Sequence, residues 1–383
     1  MNKKIIIELL IIVLLFTVTG CSIKENTTTS SSTKELKQTD IVTDRDLEQI
    51  IDTSDATKYT ISDGKDITIP EEGTYVISGT AKNVTIVVET DNSSKVNLVL
   101  KDLTLENEDS PCIYVKNADK VFVNVTGTNK LTVSGTFTSD GTTNTDAVIF
   151  AKDDIVINGE GSLDISSTNN GITSKDDLKI TGGTISIDCT ADALEANNSI
   201  VITDGNITIN TKKDGLHAEY DEDNTVGYIY ISGGTLNIDA TDDAIHATTI
   251  IQIDGGTITT NSREGLEATY VQINDGTIDI KASDDGINAG QKSKKYTVCI
   301  EINGGSISID MGQGDIDAID SNGNLYINGG TINITAQSPF DYDGEGQLNG
   351  GDITVNGEKT TELTNQMMGG PGGQGGPGGN RRR

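Results

Sequence analysis

Isoleucine alternates with Thr, Ser, Asn and Asp along most of this chain, and a glycine pair breaks the alternation at regular steps. The phrase reads Ile180-Thr181-Gly182-Gly183-Thr184-Ile185-Ser186-Ile187, and again Ile231-Ser232-Gly233-Gly234-Thr235-Leu236-Asn237-Ile238. From Gly161 to Gly351 its second glycine recurs after 22, 22, 29, 22, 20, 29, 25 and 21 residues. An apolar–polar alternation of period two is a half-buried strand, and glycines supply the turns between strands. A repeat of this length carries no complete core of its own, so coils must stack on one another. The pattern predicts an all-β chain folded as a right-handed parallel β-helix, a solenoid of about 22 residues per coil. Successive coils then lie roughly 4.8 Å apart, and every repeat position becomes a column of side chains. The two 29-residue steps are coils with inserted loops, one acidic (Tyr220 to Asn224) and one basic (Gln291 to Lys295). Such insertions often share a face.

A second phrase, acid-(Ala/Gly)-(Ile/Leu)-x-Ala, sits between the glycine turns. It occurs at Asp192 to Ala196, Asp214 to Ala218, Asp243 to Ala247, Glu264 to Ala268, Asp285 to Ala289 and Asp317 to Asp320. Looser copies start at Asp146 and Asn170. Stacked at coil spacing, these carboxylates destabilise one another unless a cation bridges them or their pKa values rise. The arrangement therefore predicts calcium, a hard cation ligated by oxygen, on Asp192, Glu195, Asp214, Asp243, Glu264, Glu267, Asp285, Asp317 and Asp320. Side chains that cap the backbone at a corner are the competing explanation. The two histidines of the chain, His217 and His246, occupy one position of this phrase in neighbouring coils, flanked in the same column by Glu195 and Glu267. With Tyr220 and Tyr270 they mark the expected ligand face.

Charge narrows the partners. With 58 acidic against 28 basic residues, the net charge of −30 repels nucleic acid, and no basic patch with interleaved aromatics offsets it. An acidic polysaccharide is equally repelled unless cations mediate. The chain has no Trp and ten Tyr, so the aromatic platforms on which neutral sugars stack are scarce.

The ends read differently from the body. Lys3 and Lys4 precede an apolar run from Ile5 to Val18, closed by Val18-Thr19-Gly20-Cys21. This resembles the signal and lipobox of bacterial lipoproteins, which implies lipidation at Cys21 and an extracellular body held on the membrane. Residues 22–45 read as a disordered tether, since seven of the eight residues from Asn26 to Thr33 are Ser or Thr. Residues 46–365 form the β-helix, and residues 366–383 a disordered Gly/Pro-rich tail ending in Arg381, Arg382 and Arg383. Cys112, Cys189 and Cys299 are odd in number and far apart, with no disulfide framework visible, and Cys189 and Cys299 lie inside strand patterns, where a free thiol is expected to be buried.

The stretches Ile67 to Thr80, Pro111 to Asp119 and Lys152 to Gly159, with the Gly-Gly-Thr-Ile repeats and the Gly/Pro tail, resemble the bacterial carbohydrate-binding β-helix family first associated with cellulolytic clostridia. The similarity runs over roughly residues 57–370. It implies a fold like that of polysaccharide lyases, bound calcium, and recognition of acidic sugars such as polygalacturonate. Only the acid column carries functional meaning across, and Asn170 and Asn288 stand there in place of carboxylates. Fold alone does not decide between binder and enzyme. A calcium-dependent lyase needs a basic side chain beside the cation, for which Lys213 and Arg263 are the candidates. A hydrolase needs paired acids, but the Gly-His-Gly and Arg-x-Lys elements of polygalacturonases are missing. A non-catalytic spacer or adhesin is the third class. The binder, with no catalytic residue, accommodates most of these features.

Overall fold

The computed structural model describes residues 35–312 and 316–365. Apart from one helical turn, Gln38–Ile41, its regular elements are strands. They stack coil on coil in three parallel ladders. One coil supplies Asp243–Ala247, Ile250–Ile253 and Thr257–Ser262; the next supplies Glu264–Ala268, Tyr270–Ile273 and Thr277–Ala282. Each strand pairs with its counterpart one coil on, as in His246 with Glu267, Ile251 with Val271 and Ile258 with Ile278. The expected all-β solenoid is therefore found in its essentials, a β-helix-like stack. The chain is turned back at its far end by the antiparallel pairing of Asp352–Val355 with Glu358–Thr360.

The repeat phrase accounts for this packing. In Thr257–Ser262 every second residue is buried, so Ile258 joins the core while Thr257 and Thr259 face out. Ile251, Val271, Ile300 and Leu325 form one of several fully buried columns. Gly234 and Gly256 hold φ of 84° and 93° at the turn between two ladders, a backbone region that side chains disfavour. The three body cysteines are free and buried. Both loop insertions leave the same corner, after Ala218 and after Ala289, and they meet where the Lys295 ammonium donates to the Thr225 carbonyl at 2.9 Å.

The boundary of the body differs from the expected one. The chain divides into Met1–Glu35 and a compact unit that begins at Leu36, so residues 36–45 are not a free tether. Leu36 exchanges hydrogen bonds with the Gln252 side chain (2.8 and 2.9 Å), and the Arg45 guanidinium lies 4.5 Å over the Phe122 ring. Asp46 is fully buried, 3.4 Å from the Lys120 ammonium and 3.5 Å from that of Lys179. Leu36 packs against the cluster of Ile250, Tyr270 and Cys299, and the ladder offers the rest of the segment polar side chains to pair with. Asp46→Ala removes the carboxylate shared by Lys120 and Lys179 and leaves Lys120 with Asp154, which is expected to cost about 3 kcal/mol in chemical denaturation. The signal segment with Cys21, the first part of the tether and the 366–383 tail lie outside the described residues.

Candidate functional site

The acid phrase forms the third ladder, and its strands bury the first, third and fifth positions while the fourth faces outward, as in Asp243–Ala247. Register pairs link Thr173, Glu195, His217, His246, Glu267, Asn288, Asp320 and Asp341 into one outward column. The column of acids beside it behaves differently. Asp192, Asp214 and Asp243 are 3–4% exposed. The backbone N–H of Asp214 donates to Asp192 Oδ1 (3.1 Å), and that of Asp243 to Asp214 Oδ1 (3.0 Å). Asn170 caps Asp192 in the same way. In this stretch one oxygen of each side chain is spent on the next coil, as corner capping predicts, and the other is left to meet the histidines.

In the middle of the ladder histidines, Lys213 and Arg263 offset part of the negative charge. His217 Nδ1 lies 3.2 Å from Asp192 Oδ2 and 3.5 Å from Asp214 Oδ2, while its Nε2 is 3.1 Å from Glu219. Burial works against its charge, yet hydrogen bonds to Asp192 and Glu219 prevail and push its pKa up to about 10. The His246 ring lies beside it, tilted by 52°, at 5.0 Å between ring centroids. Burial and the neighbouring His217 charge hold His246 below the ordinary histidine value. Asp243 is pushed up to about 9 by burial and by the adjacent Glu264, Glu267 and Asp214 carboxylates. Lys213 holds Asp192 at 2.7 Å. Arg263 contacts four carboxylates, Asp242 (2.5 Å), Asp243 (3.1 Å), Glu264 and Asp284 (both 2.7 Å). Glu195 is held by Asn170 (2.6 Å), Thr173 (2.8 Å) and Lys175 (3.2 Å).

Toward the C-terminal coils compensation gives way to repulsion. Burial and the carboxylates of Asp320, Glu264, Asp284 and Asp317 push Asp285 up to about 7. Burial with Asp317, Asp341, Asp343 and Glu264 pushes Asp320 up to about 6. Among the described residues this end offers carboxylate oxygens and no histidine, the kind of donor that calcium takes, but Asp285, Asp317 and Asp320 are not in the groups whose donor atoms converge. The histidine-bearing middle does not fit calcium in the same way. Of the nine residues expected to ligate a metal, Asp214, Asp243 and Glu267 fall into groups whose donor atoms converge within 4.8 Å; these are Asp214/His217/His246, Asp243/His246/Glu267 and Asp214/Asp242/Asp243.

Other expectations need correction. Tyr270 does not join the histidines. Thr269 turns the corner, so Tyr270 opens a strand of another ladder, where it is buried against Ile250 and Cys299 and donates to Glu301. Tyr220 sits in the acidic loop and donates to Glu222 at 2.9 Å. Neither candidate base is poised to accept a proton. Lys213 is raised above the ordinary lysine value by Asp192, Asp214 and Glu195 against the opposing effect of burial, and the carboxylates around Arg263 raise it too.

The sequence reading missed two features. Lys116, Lys152 and Lys175 recur near the C-terminal ends of third-ladder strands in successive coils, Lys116 inside Ile113–Asn117 and the other two just past Ala147–Ala151 and Asn170–Ser174, with Lys152 N–H on the Val115 carbonyl and Lys175 N–H on that of Ala151. They rim Tyr114 and Phe150, with ammonium-to-centroid distances of 5.1 and 6.0 Å for Lys116 and Lys152, and 5.8 Å for Lys175. A lysine recurring near the end of three successive strands was a readable signal. The second feature is Asp154, Asp176 and Asp177, which converge on a different ladder beside Lys120. A cavity of about 1150 Å³ also lies away from the acid column, beneath residues 49–60. We place the candidate site at the column because charged groups converge there.

Comparison with known proteins agrees with a carbohydrate-related role. The family model for carbohydrate-binding domain-containing proteins matches residues 63–315 and 267–369. A relative of that description from Acetivibrio thermocellus is 34% identical over 129 residues, which cover 32% of this chain and 44% of the relative. The match thus spans less than half of the relative's length. A solved structure, a gadolinium derivative of the polysaccharide lyase-like protein from C. thermocellum, superposes with a TM-score of 0.53 at 30% identity, over 59% of this chain and 96% of that one.

Proposed function

The chain belongs to the carbohydrate-binding domain-containing family, and on that premise we propose that it binds acidic, polygalacturonate-like polysaccharide along the third ladder of a right-handed parallel β-helix, partly through calcium. The observation that carries this reading is the stacking of Asp320 on Asp341 in register at one end of the column, with repulsion from Asp285 and Asp317 beside them. A divalent cation there relieves that repulsion and leaves positive charge for a uronate carboxylate. At the other end Lys116, Lys152 and Lys175 supply fixed cations. A polyanion following the column meets lysines first and the calcium end last. The same reading includes anchorage of the body outside the cell by lipid on Cys21.

We favour binding over cleavage because Lys213 and Arg263 are held protonated by carboxylates, and elimination needs an unprotonated base. Affinity electrophoresis in gels containing polygalacturonate or a neutral glucan tests the reading. Retardation is expected in polygalacturonate alone, and Lys152→Ala/Lys175→Ala is expected to weaken it about tenfold, or ~1.4 kcal/mol. No ultraviolet-absorbing unsaturated product is expected on prolonged incubation with calcium. Product that disappears in Lys213→Met would establish the lyase instead. Equal mobility in every gel would leave a structural surface protein.

A further inference from the structure

The middle of the column holds an arrangement that calcium does not explain. His246 Nδ1 lies 3.1 Å from Asp243 Oδ2 and 3.1 Å from Glu267 Oε2, and the donor atoms of all three residues lie within 4.8 Å of one another. The far oxygen of each carboxylate is engaged elsewhere. Arg263 Nη2 sits 3.1 Å from Asp243 Oδ1, Lys292 Nζ sits 2.7 Å from Glu267 Oε1, and His246 Nε2 faces Glu219 Oε2 at 3.8 Å. With the imidazole proton on Nε2, toward Glu219, the Nδ1 lone pair points inward with the two carboxylate oxygens. Three lone-pair donors then face one point, which only a proton or a cation can occupy. Outer partners that fix the unused atom of each ligand are the usual surroundings of a protein metal site.

We propose that Asp243, His246 and Glu267 bind a divalent transition cation of the zinc type, at a site distinct from the oxygen-only end of the column. The donor set decides the class, because imidazole nitrogen suits zinc and its neighbours while calcium takes oxygen. The spacing agrees as well. Tetrahedral ligands at ~2.0 Å from a cation stand roughly 3.3 Å apart, close to the two measured edges. Three protein ligands leave a fourth position, and His246 lies in the outward column, so water or a ligand oxygen completes the shell. His217, tilted against His246, forms a wall of the site and is not a ligand in this arrangement. The proposal does not depend on calcium or on polyuronate.

The test is calorimetry of zinc chloride with the untagged unit Leu36–Arg383, followed by cobalt substitution and visible absorption. One zinc per chain is expected, not displaced by millimolar calcium, and cobalt is expected to show the intense visible bands of a low-coordinate site. His246→Gln and Glu267→Gln should each weaken zinc at least tenfold, while His217→Gln, which removes a neighbouring positive charge and no ligand, should not weaken it. If His246→Gln does not fold, the nearly isosteric Glu267→Gln decides. Absence of zinc binding, unchanged binding in a folded triad variant, or equal loss in His217→Gln overturns the assignment.

Discussion

Replacing Asp285 and Asp320 together by asparagine is expected to stabilise the calcium-free protein at pH 8 and to remove most of its stabilisation by calcium. Both carboxyls are raised from an ordinary 3.8, to about 7 and about 6, by burial and by surrounding carboxylates. Between the unfolded and folded values the folded state holds more protons than the unfolded one. Stability therefore falls as pH rises from about 4 to about 7, the reverse of an ion-paired aspartate. Asparagine keeps the shape and removes the repulsion, so the variant should lose this slope. After screening by solvent the gain at pH 8 is about 1–2 kcal/mol. Calcium at one hundred times its dissociation constant contributes ~2.7 kcal/mol to a protein that binds it only when folded. Wild type should thus melt several degrees higher with calcium at pH 8, and the variant should barely respond. A variant less stable than wild type without metal would show that these carboxylates are held by favourable partners.

Gly265→Ala is expected to destabilise by about 2–3 kcal/mol, as overpacking does in a closed core, and Gly265→Val to prevent folding. A Cβ at this position meets the Gly286 carbonyl oxygen at 2.3 Å and Ile280 Cγ2 at 2.6 Å, so backbone of the next coil has to move. Close approach between coils is the reason for glycine here; no positive φ is involved. The displaced segment carries Glu264 and Glu267, so the damage reaches the ligand face as well. Gly290→Ala is the control, since nothing lies within 4 Å of its added carbon. Equal melting temperatures for Gly265→Ala and Gly290→Ala would contradict the steric account.

The fold was legible because a coil repeats one local pattern, and its period reports the stacking directly. Ile251, Val271 and Ile300 sit in register as their spacing from each glycine pair requires. The acid column was legible as a column, but its orientation was not. Nothing in the phrase reveals that Asp192 and Asp214 each spend one oxygen on the next coil's N–H, because that depends on which side of the corner the side chain leaves. Tyr270 was misplaced for a similar reason. One residue suffices to turn the corner, so proximity to Ala268 in sequence does not place it on the same ladder. The docking of Leu36 on Gln252 joins segments 216 residues apart and has no local signature. The lysine row was present in the text of the repeat, hidden by the attention that a −30 charge draws to acids.

The central claim is that calcium on the acidic end of the column joins this protein to a polyuronate. Calorimetric titration of the Leu36–Arg383 unit with polygalacturonate, in calcium and again in excess chelator, tests it most directly. The account predicts binding in calcium that is lost on chelation and is absent from Asp285→Asn/Asp320→Asn in either buffer. Binding of equal strength with and without chelator, or none in calcium, would contradict it.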